Sequence, residues 1–357
     1  MLYNFDEILV DDTKSCKKIK KQDYLNKGKY PIIDQGQTKV SGYWNDANDL
    51  YENVPAIIFG DHTRIVKYVD KPFFIGADGV KVLKCKIKEI DYKYLFYLLK
   101  SIYIPNTGYN RHFKWIKNYQ FGIHDVKDQK RIVDTLDSIS NIINLRKQQL
   151  EIIDLLIKAK FNEMFGDPVT NNLNWPVQSM NMVAPIVNYK GEVSDACWLL
   201  NLDKVEAGTG RIIGYEIVRK TQIGESVCAF NPDNILYSKL RPYLNKVVLP
   251  DQIGYATSEM LPLKPDNKFL NREFLAWLLR SVSFVNWASH KVSGAKMPRL
   301  NMSDFKSFKV IIPDMNLQIQ FRDFTFELNN LQLNIEKSIE MYSSLKNSLM
   351  QKYFRGE

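Results

Sequence analysis

Two stretches of the chain repeat apolar positions with helical spacing and contain no helix breaker. From Ile123 to Phe165 there is neither glycine nor proline, although Gly122 and Gly166 stand just outside. Asp314 to Arg355 behaves the same way between Pro313 and Gly356. Breakers at the edges and none inside predict two long helices. In the first, Leu136, Ile143, Leu150, Ile157 and Met164 recur every seven residues. Ile132, Ile139 and Ile153 fill a second seam position, interrupted by Arg146 and Lys160. In the second, Phe321, Leu328, Ile335, Tyr342 and Leu349 repeat every seven, flanked by Leu331 and Leu345. These heptads mark helices packed along their length. At about 1.5 Å per residue each rod is on the order of 50–60 Å long. A narrow apolar stripe must be covered, and the economical solution is that the rods cover each other; separate rods, each packed on its own domain, are the alternative. Leu155, Leu156 and Phe324 lie outside the seam and are expected to face a further partner.

The rods also match each other in sequence. Shifted by 189 residues, "IHDVKDQKRIVDTLDSI" from Ile123 falls on "IPDMNLQIQFRDFTFEL" from Ile312, so that Gln129 meets Gln318, Asp134 meets Asp323 and Phe165 meets Phe354. The segments before the rods match at a shift of 180, where "YLFYLLKS" (Tyr94–Ser101) falls on "FLAWLLRS" (Phe274–Ser281). The chain is therefore one unit used twice, a globular block followed by a rod. This divides it into residues 1–122, 123–165, 166–313 and 314–357. Inside the blocks, short β-type runs such as "VPAIIFG", "RIVKYV", "NILYSKL" and "FKVIIP" alternate with turn residues and one clear helix each. They read as α+β units rather than alternating βαβ.

With 357 residues there is room for two domains with cores of their own. No run of about 18 apolar residues exists, and "MLYNFDEILVDD" has no apolar stretch of the signal-peptide kind, so the expected location is cytoplasmic. Cys16, Cys85, Cys197 and Cys228 are scattered with no C-x-x-C pair, which predicts reduced thiols and no metal site. Net charge refines the division. Residues 1–122 hold 20 lysines and arginines against 14 carboxylates, and residues 166–313 hold 17 against 13. Residues 123–165 balance at 7 against 7, and residues 314–357 hold 5 against 6. A basic excess confined to two separate blocks is what two nucleic-acid-binding modules would carry.

Catalytic patterns are missing where they would be sought. "NPDN" (Asn231–Asn234) has the outline of an amine-gripping methyltransferase loop but lacks the second proline and the aromatic, and reads as a turn. "GTGRIIG" (Gly208–Gly214) is one residue too long for G-x-G-x-x-G and precedes no helix. His62, His112, His124 and His290 show no ligand spacing. What stands out instead is binding chemistry: cations that contact phosphates or guanine edges, beside aromatics that position them. "YSKLRPYLNK" supplies Lys239, Arg241, Tyr243 and Lys246; "TGYNRHFKWIKNY" supplies Asn110, Arg111, His112 and Lys114; "SHKVSGAKMPR" supplies Lys291, Lys296 and Arg299. Arg64, in "GDHTR", completes the candidates.

Four separated elements, in order, resemble the specificity subunit of type I restriction-modification enzymes along nearly the whole chain. They are "FGDHTRIVKYVDKPFFIGADGVKVLK", "NILYSKLRPYLNKVVL" with "YATSEMLPLK", and the two helix-leading segments "IHDVKDQKRIVDTL" and "IPDMNLQIQF". The sequence departs from the family's proline-rich, Glu-Gln lead into the first helix, where His124 and Lys127-Asp128 stand. The resemblance implies two target recognition domains reading a split double-stranded DNA site, separated by an antiparallel two-helix coiled coil. Its seam would be formed by Leu136, Ile139, Ile143, Leu150, Ile153, Ile157, Leu328, Ile335, Tyr342 and Leu349. It further implies a non-catalytic chain that binds no cofactor. Two methyltransferase subunits would bring S-adenosylmethionine, and restriction (helicase-nuclease) subunits ATP and Mg. A stand-alone DNA-binding regulator dimerising through its rods is the competing expectation.

Overall fold

A computed structural model describes residues 2–76, 79–108 and 110–355. The chain forms two compact units, Met1–Lys147 with Glu336–Glu357, and Gln148–Ile335. Each unit thus holds one globular block and half of each rod.

In the first block a four-stranded antiparallel sheet has the order β1 (Leu9–Asp11), β7 (Val80–Cys85), β4 (Ala56–Gly60), β5 (Val66–Val69). A smaller sheet runs β3 (Gly42–Trp44), β2 (Tyr30–Ile33), β6 (Phe74–Ile75), with β2 and β6 parallel. All five residues of β4 are buried, as expected of a central strand covered on both faces. Helix α1 (Tyr92–Ser101) covers the four-stranded sheet through Tyr94, Leu95, Leu98 and Leu99. A short helix α2 (Phe113–Lys117) follows, and then the first rod, α3 (Val126–Phe165).

The second block repeats this plan. The sheet β12 (Val247–Val248), β11 (Ile235–Ser238), β14 (Met260–Leu263) matches the order β5-β4-β7. The sheet β9 (Glu216–Arg219), β8 (Ala196–Leu200), β13 (Gly254–Thr257), β10 (Val227–Phe230) matches β3-β2-β6 with one strand added, and keeps the parallel pairing at β8 and β13. Helix α4 (Arg272–Arg280) buries Phe274, Leu275, Leu278 and Leu279, the positions 180 beyond those of α1. Helices α5 (Val282–Ser289) and α6 (Met302–Ser307) precede the second rod, α7 (Met315–Arg355). In both blocks a strand near the block's beginning pairs with the strand that leads into the rod, Leu2–Tyr3 with Phe121–Gly122 and Val177–Ser179 with Lys309–Ile311.

One buried glutamine ties each domain helix to its rod. Gln129 of α3 accepts a hydrogen bond from the Asp91 amide (2.9 Å) at the N-terminus of α1 and donates to the His124 carbonyl (2.9 Å). Gln318 of α7 accepts from the Asn271 amide (2.8 Å) and donates to the Phe269 (3.0 Å) and Pro313 (2.8 Å) carbonyls. The Asp91 and Asn271 side chains each accept from the two amides that lie two and three residues further on in their helix. The sequence repeat is therefore a repeat of hydrogen-bond partners as well as of side chains.

The rods run antiparallel within each unit. In the first, Lys346 Nζ donates to Ser140 Oγ (2.5 Å), and Leu349, Met350 and Phe354 pack into the core with Ile132, Val133 and Leu136. In the second, Gln332 donates to Asp154 (2.9 Å), and Phe161 and Phe165 meet Phe321 edge to face at 5.5 Å. Phe354 packs on Tyr94 at 5.4 Å, and Phe165 packs on Phe274 at 4.7 Å, so the sequence-matched phenylalanines have matched partners. Of the seam residues, Leu136, Ile139, Ile153, Ile157 and Ile335 are buried. Ile143, Leu150, Leu328, Tyr342 and Leu349 are half-buried, as a two-helix seam leaves its flanks open. Leu155 and Leu156 are exposed as expected, whereas Phe324 is half-buried.

Candidate nucleic-acid interface

In each block the central strand of the helix-covered sheet ends in a loop that is hydrogen-bonded to the loop before the short helix. In the first, β4 runs into Asp61, whose amide donates to the Gly79 carbonyl (2.7 Å) and whose carbonyl accepts from the His112 amide (2.8 Å). The buried Asp61 carboxylate accepts from the Phe113 amide (2.7 Å), which starts α2. Gln35 joins from β2's end, taking the His62 amide (3.1 Å) on its side chain and the Thr63 hydroxyl (2.6 Å) on its carbonyl. Gly79 has a φ of +87°, and a Cβ there would stand 2.6 Å from the His62 ring, so only glycine fits this crossing. Lys67, buried, donates to the Asp34 and Thr38 carbonyls (both 2.7 Å) and holds the 34–38 loop. Burial lowers its pKa, against the opposing pull of Asp34.

The second block builds the same crossing from other residues. The Leu300 amide donates to the Lys239 carbonyl (2.9 Å), and the Arg241 amide donates to the Pro298 carbonyl (2.8 Å). Arg241 and Asn245 adopt left-handed φ values of 50° and 48°, which fold the "RPYLN" turn back on the sheet. In the first block Arg64 is left-handed as well, at φ 63°. Both strand-exit loops therefore carry a left-handed arginine.

The candidates divide by what their side chains touch. Arg111, Lys114, Arg241, Tyr243 and Lys296 face solvent, as does Asn110, whose side chain donates to the Thr107 carbonyl within its own loop. Lys291 is exposed, 3.8 Å from Asp304. Lys239 is half-buried near Glu259. Tyr109, an aromatic of the first loop, lies outside the described residues. Four candidates have other duties. His112 is fully buried, with Nδ1 2.9 Å from the Asp61 carbonyl and Nε2 3.2 Å from the Thr107 hydroxyl, so it builds the loop. Arg64 donates inward to the Ile104 carbonyl (3.2 Å). Lys246 donates to the Leu202 carbonyl (2.7 Å). Arg299 holds the Glu259 carboxylate through Nε (2.9 and 3.1 Å) and Nη2 (2.7 Å) and keeps that carboxyl below its usual pKa. Sequence reasoning missed Asp61, Gln35 and Glu259. Only the position of Asp61 directly after a strand hinted at its capping role.

Among the described residues no group of three or more His, Cys, Asp or Glu side chains could hold a metal ion, and no helix is long and apolar enough to cross a membrane. The four thiols are free, and burial raises that of Cys16 to about 12.

The chain matches the type I restriction modification DNA specificity domain twice, over residues 7–154 and 182–341. It is 27% identical over 192 residues to the type I restriction enzyme EcoDI specificity subunit of Escherichia coli, across 52% of this chain and 42% of that protein. The alignment thus spans less than half of that relative's length. In fold it resembles the crystal structure of the type I restriction-modification S subunit from M. genitalium, with a TM-score of 0.57 at 16% identity, covering 99% of this chain and 95% of that one. A chain from a study of complex assembly and conformational transition of the type I R-M system gives 0.56 at 14% identity, covering 100% and 97%.

Proposed function

Because the chain belongs to the type I restriction-modification DNA specificity family, we propose that it reads a bipartite DNA site, one half-site with each block, and is not itself catalytic. The observation that carries this is the duplicated loop crossing, which presents Asn110, Arg111 and Lys114 in one unit and Arg241, Tyr243, Lys291 and Lys296 in the other. Cations of this kind supply phosphate affinity, and an arginine fork can read guanine in the major groove. In this reading the rods are a ruler. Half-sites read from one face of the duplex lie roughly 34–36 Å apart, and a 40-residue helix such as α3 is about 60 Å long.

The rods also serve as the dock. Ile152, Leu155, Leu156, Phe326 and Leu333 of the second unit, and Leu145, Met341 and Leu345 of the first, are large apolar side chains left exposed. Exposed apolar side chains in such number suit protein–protein contact. The partners proposed are two DNA methyltransferase subunits, with S-adenosylmethionine, and restriction subunits, with ATP and Mg.

The test is methylome sequencing of a host carrying this chain with its methyltransferase, repeated with four residues inserted in both rods, after Lys147 and after Ser338. One added turn lengthens a helix by about 6 Å, close to two base-pair steps of about 3.4 Å. The expected result is a split motif whose halves are unchanged and whose spacer grows by about two base pairs. An active variant with the original spacer rules the ruler out.

A further inference from the structure

Each unit holds a cation-lined pocket outside its loop crossing, and the two pockets occupy matching places in the repeat. In the first unit a cavity of about 460 Å³ lies between the end of α1 and the C-terminal part of α7. Lys100 and Ser101 line it from α1, and Lys346, Asn347, Gln351 and Arg355 from α7. Three cations converge there, and no carboxylate is among the described lining residues.

Arg355 has a structural duty, since its Nε (3.0 Å) and Nη2 (2.5 Å) donate to the Ser101 carbonyl. Lys100 and Lys346 do not cap the helix. Lys346 is half-buried; its Nζ donates to the Ser140 hydroxyl and lies 5.4 Å over the Tyr97 ring. The carboxylate whose charge acts on it, Asp137, is hydrogen-bonded to Lys93 and Tyr97. Lys346 is thus a half-buried ammonium hydrogen-bonded to a neutral hydroxyl, in a pocket it shares with Lys100 and Arg355.

In the second unit the matching positions line a cavity of about 290 Å³. The shift of 180 carries Lys100-Ser101 onto Arg280-Ser281, and the rod shift of 189 carries Lys158 and Asn162 onto Asn347 and Gln351. Arg280 stacks 5.3 Å from Trp277 and donates through Nη2 to the Val247 carbonyl (2.7 Å), while its buried Nε has no partner among the described residues. Asp167 also lines this cavity, with its carboxylate taken by the Val169 (2.8 Å) and Thr170 (3.0 Å) amides.

We propose that the pocket of Lys100, Lys346 and Arg355 binds an oxyanion, a single phosphate or carboxylate group, and that the Arg280 pocket is its weaker counterpart. The cations suit a tetrahedral or planar oxyanion, and a cavity of this size admits one such group but not a duplex. The group is either a free small anion or an acidic side chain of a bound protein.

Calorimetric titration of the full chain with inorganic phosphate, at ionic strength held constant with chloride, separates these sources. Binding by the wild type that weakens about tenfold in Lys100→Gln and in Lys346→Gln, but not in the exposed control Lys337→Gln, assigns a free anion. Equal weakening in the control means general screening and overturns the site. Where phosphate does not bind, affinity for the methyltransferase subunit is the second arm, which rests on the function proposed above. A loss of about tenfold in Lys100→Gln against an unchanged control assigns the oxyanion to the partner's side chain. No phosphate binding with equal methyltransferase affinity in all variants overturns the pocket. A wild type that binds no methyltransferase counts against the proposed function, and the phosphate titration alone then decides the pocket. Lys100 is exposed, so Lys100→Gln keeps the test decisive even where Lys346→Gln, at a half-buried position, lowers stability.

Discussion

Replacing Gln318 by leucine tests whether the paired glutamines hold each domain helix to its rod. The two side chains are close in volume, so the loss is of hydrogen bonds rather than of packing. Gln318 is fully buried and makes three such bonds, to the Asn271 amide and to the Phe269 and Pro313 carbonyls. A buried group left without a partner costs about 1–3 kcal/mol. The Pro313 carbonyl is enclosed and incurs the larger cost, while the other two sit where water can reach part of the way. The three together come to about 4 kcal/mol, offset by about 1 from the leucine's burial. A net loss of about 3 kcal/mol lowers the melting temperature of a unit of this size by about 6–12 °C. Gln129→Leu removes only two bonds, both partly buried, and is expected to cost about half as much. Thermal unfolding by circular dichroism gives the totals, and hydrogen exchange localises them, with the Asn271 amide accelerating most. A loss below about 1 kcal/mol in Gln318→Leu, or an equal loss in Gln129→Leu, would refute the reasoning.

Two further outcomes are expected. Arg241→Asn keeps the left-handed backbone, which asparagine tolerates, and removes the cation; affinity for the second half-site falls and the salt-dependence slope drops by about one, with preference at the first half-site unchanged in fluorescence anisotropy. Loss of preference at both half-sites would contradict independent modules. Glu259, held below its ordinary pKa of 4.5 by Arg299, contributes stability that is present above about pH 4.5 and is lost as the pH falls through its folded-state value. Urea midpoints of wild type and Glu259→Gln measured between about pH 3 and pH 6 should therefore converge on the acid side, and parallel curves would show that the pair is not the source.

The rods and the repeat were legible because their signals are periodic and local. A heptad stripe bounded by Gly122, Gly166 and Pro313 needs nothing beyond helical geometry to be read. The match of Gln129 to Gln318 and of Phe165 to Phe354 was visible as well. What each does, capping a helix or packing on Tyr94 or Phe274, was not, because the partner comes from a segment some 40 to 260 residues away. The candidate interface was legible only as a collection of stretches. In "TGYNRHFKW" Asn110, Arg111 and Lys114 are exposed while His112 and Phe113 are buried, and no pattern along the chain marks His112 as interior.

By itself, the sequence determined that this protein is a duplicated unit of basic α+β block and neutral rod, since charge, breakers and heptads are properties of residue order. Only the tertiary structure decided which cations are hydrogen-bonded within the fold. Arg64, Lys246 and Arg299 carry the same charge as Arg111, Arg241 and Lys296, yet the first three are committed to Ile104, Leu202 and Glu259. A long basic side chain turns toward whichever acceptor the fold brings within reach, and that acceptor is fixed by packing between distant segments.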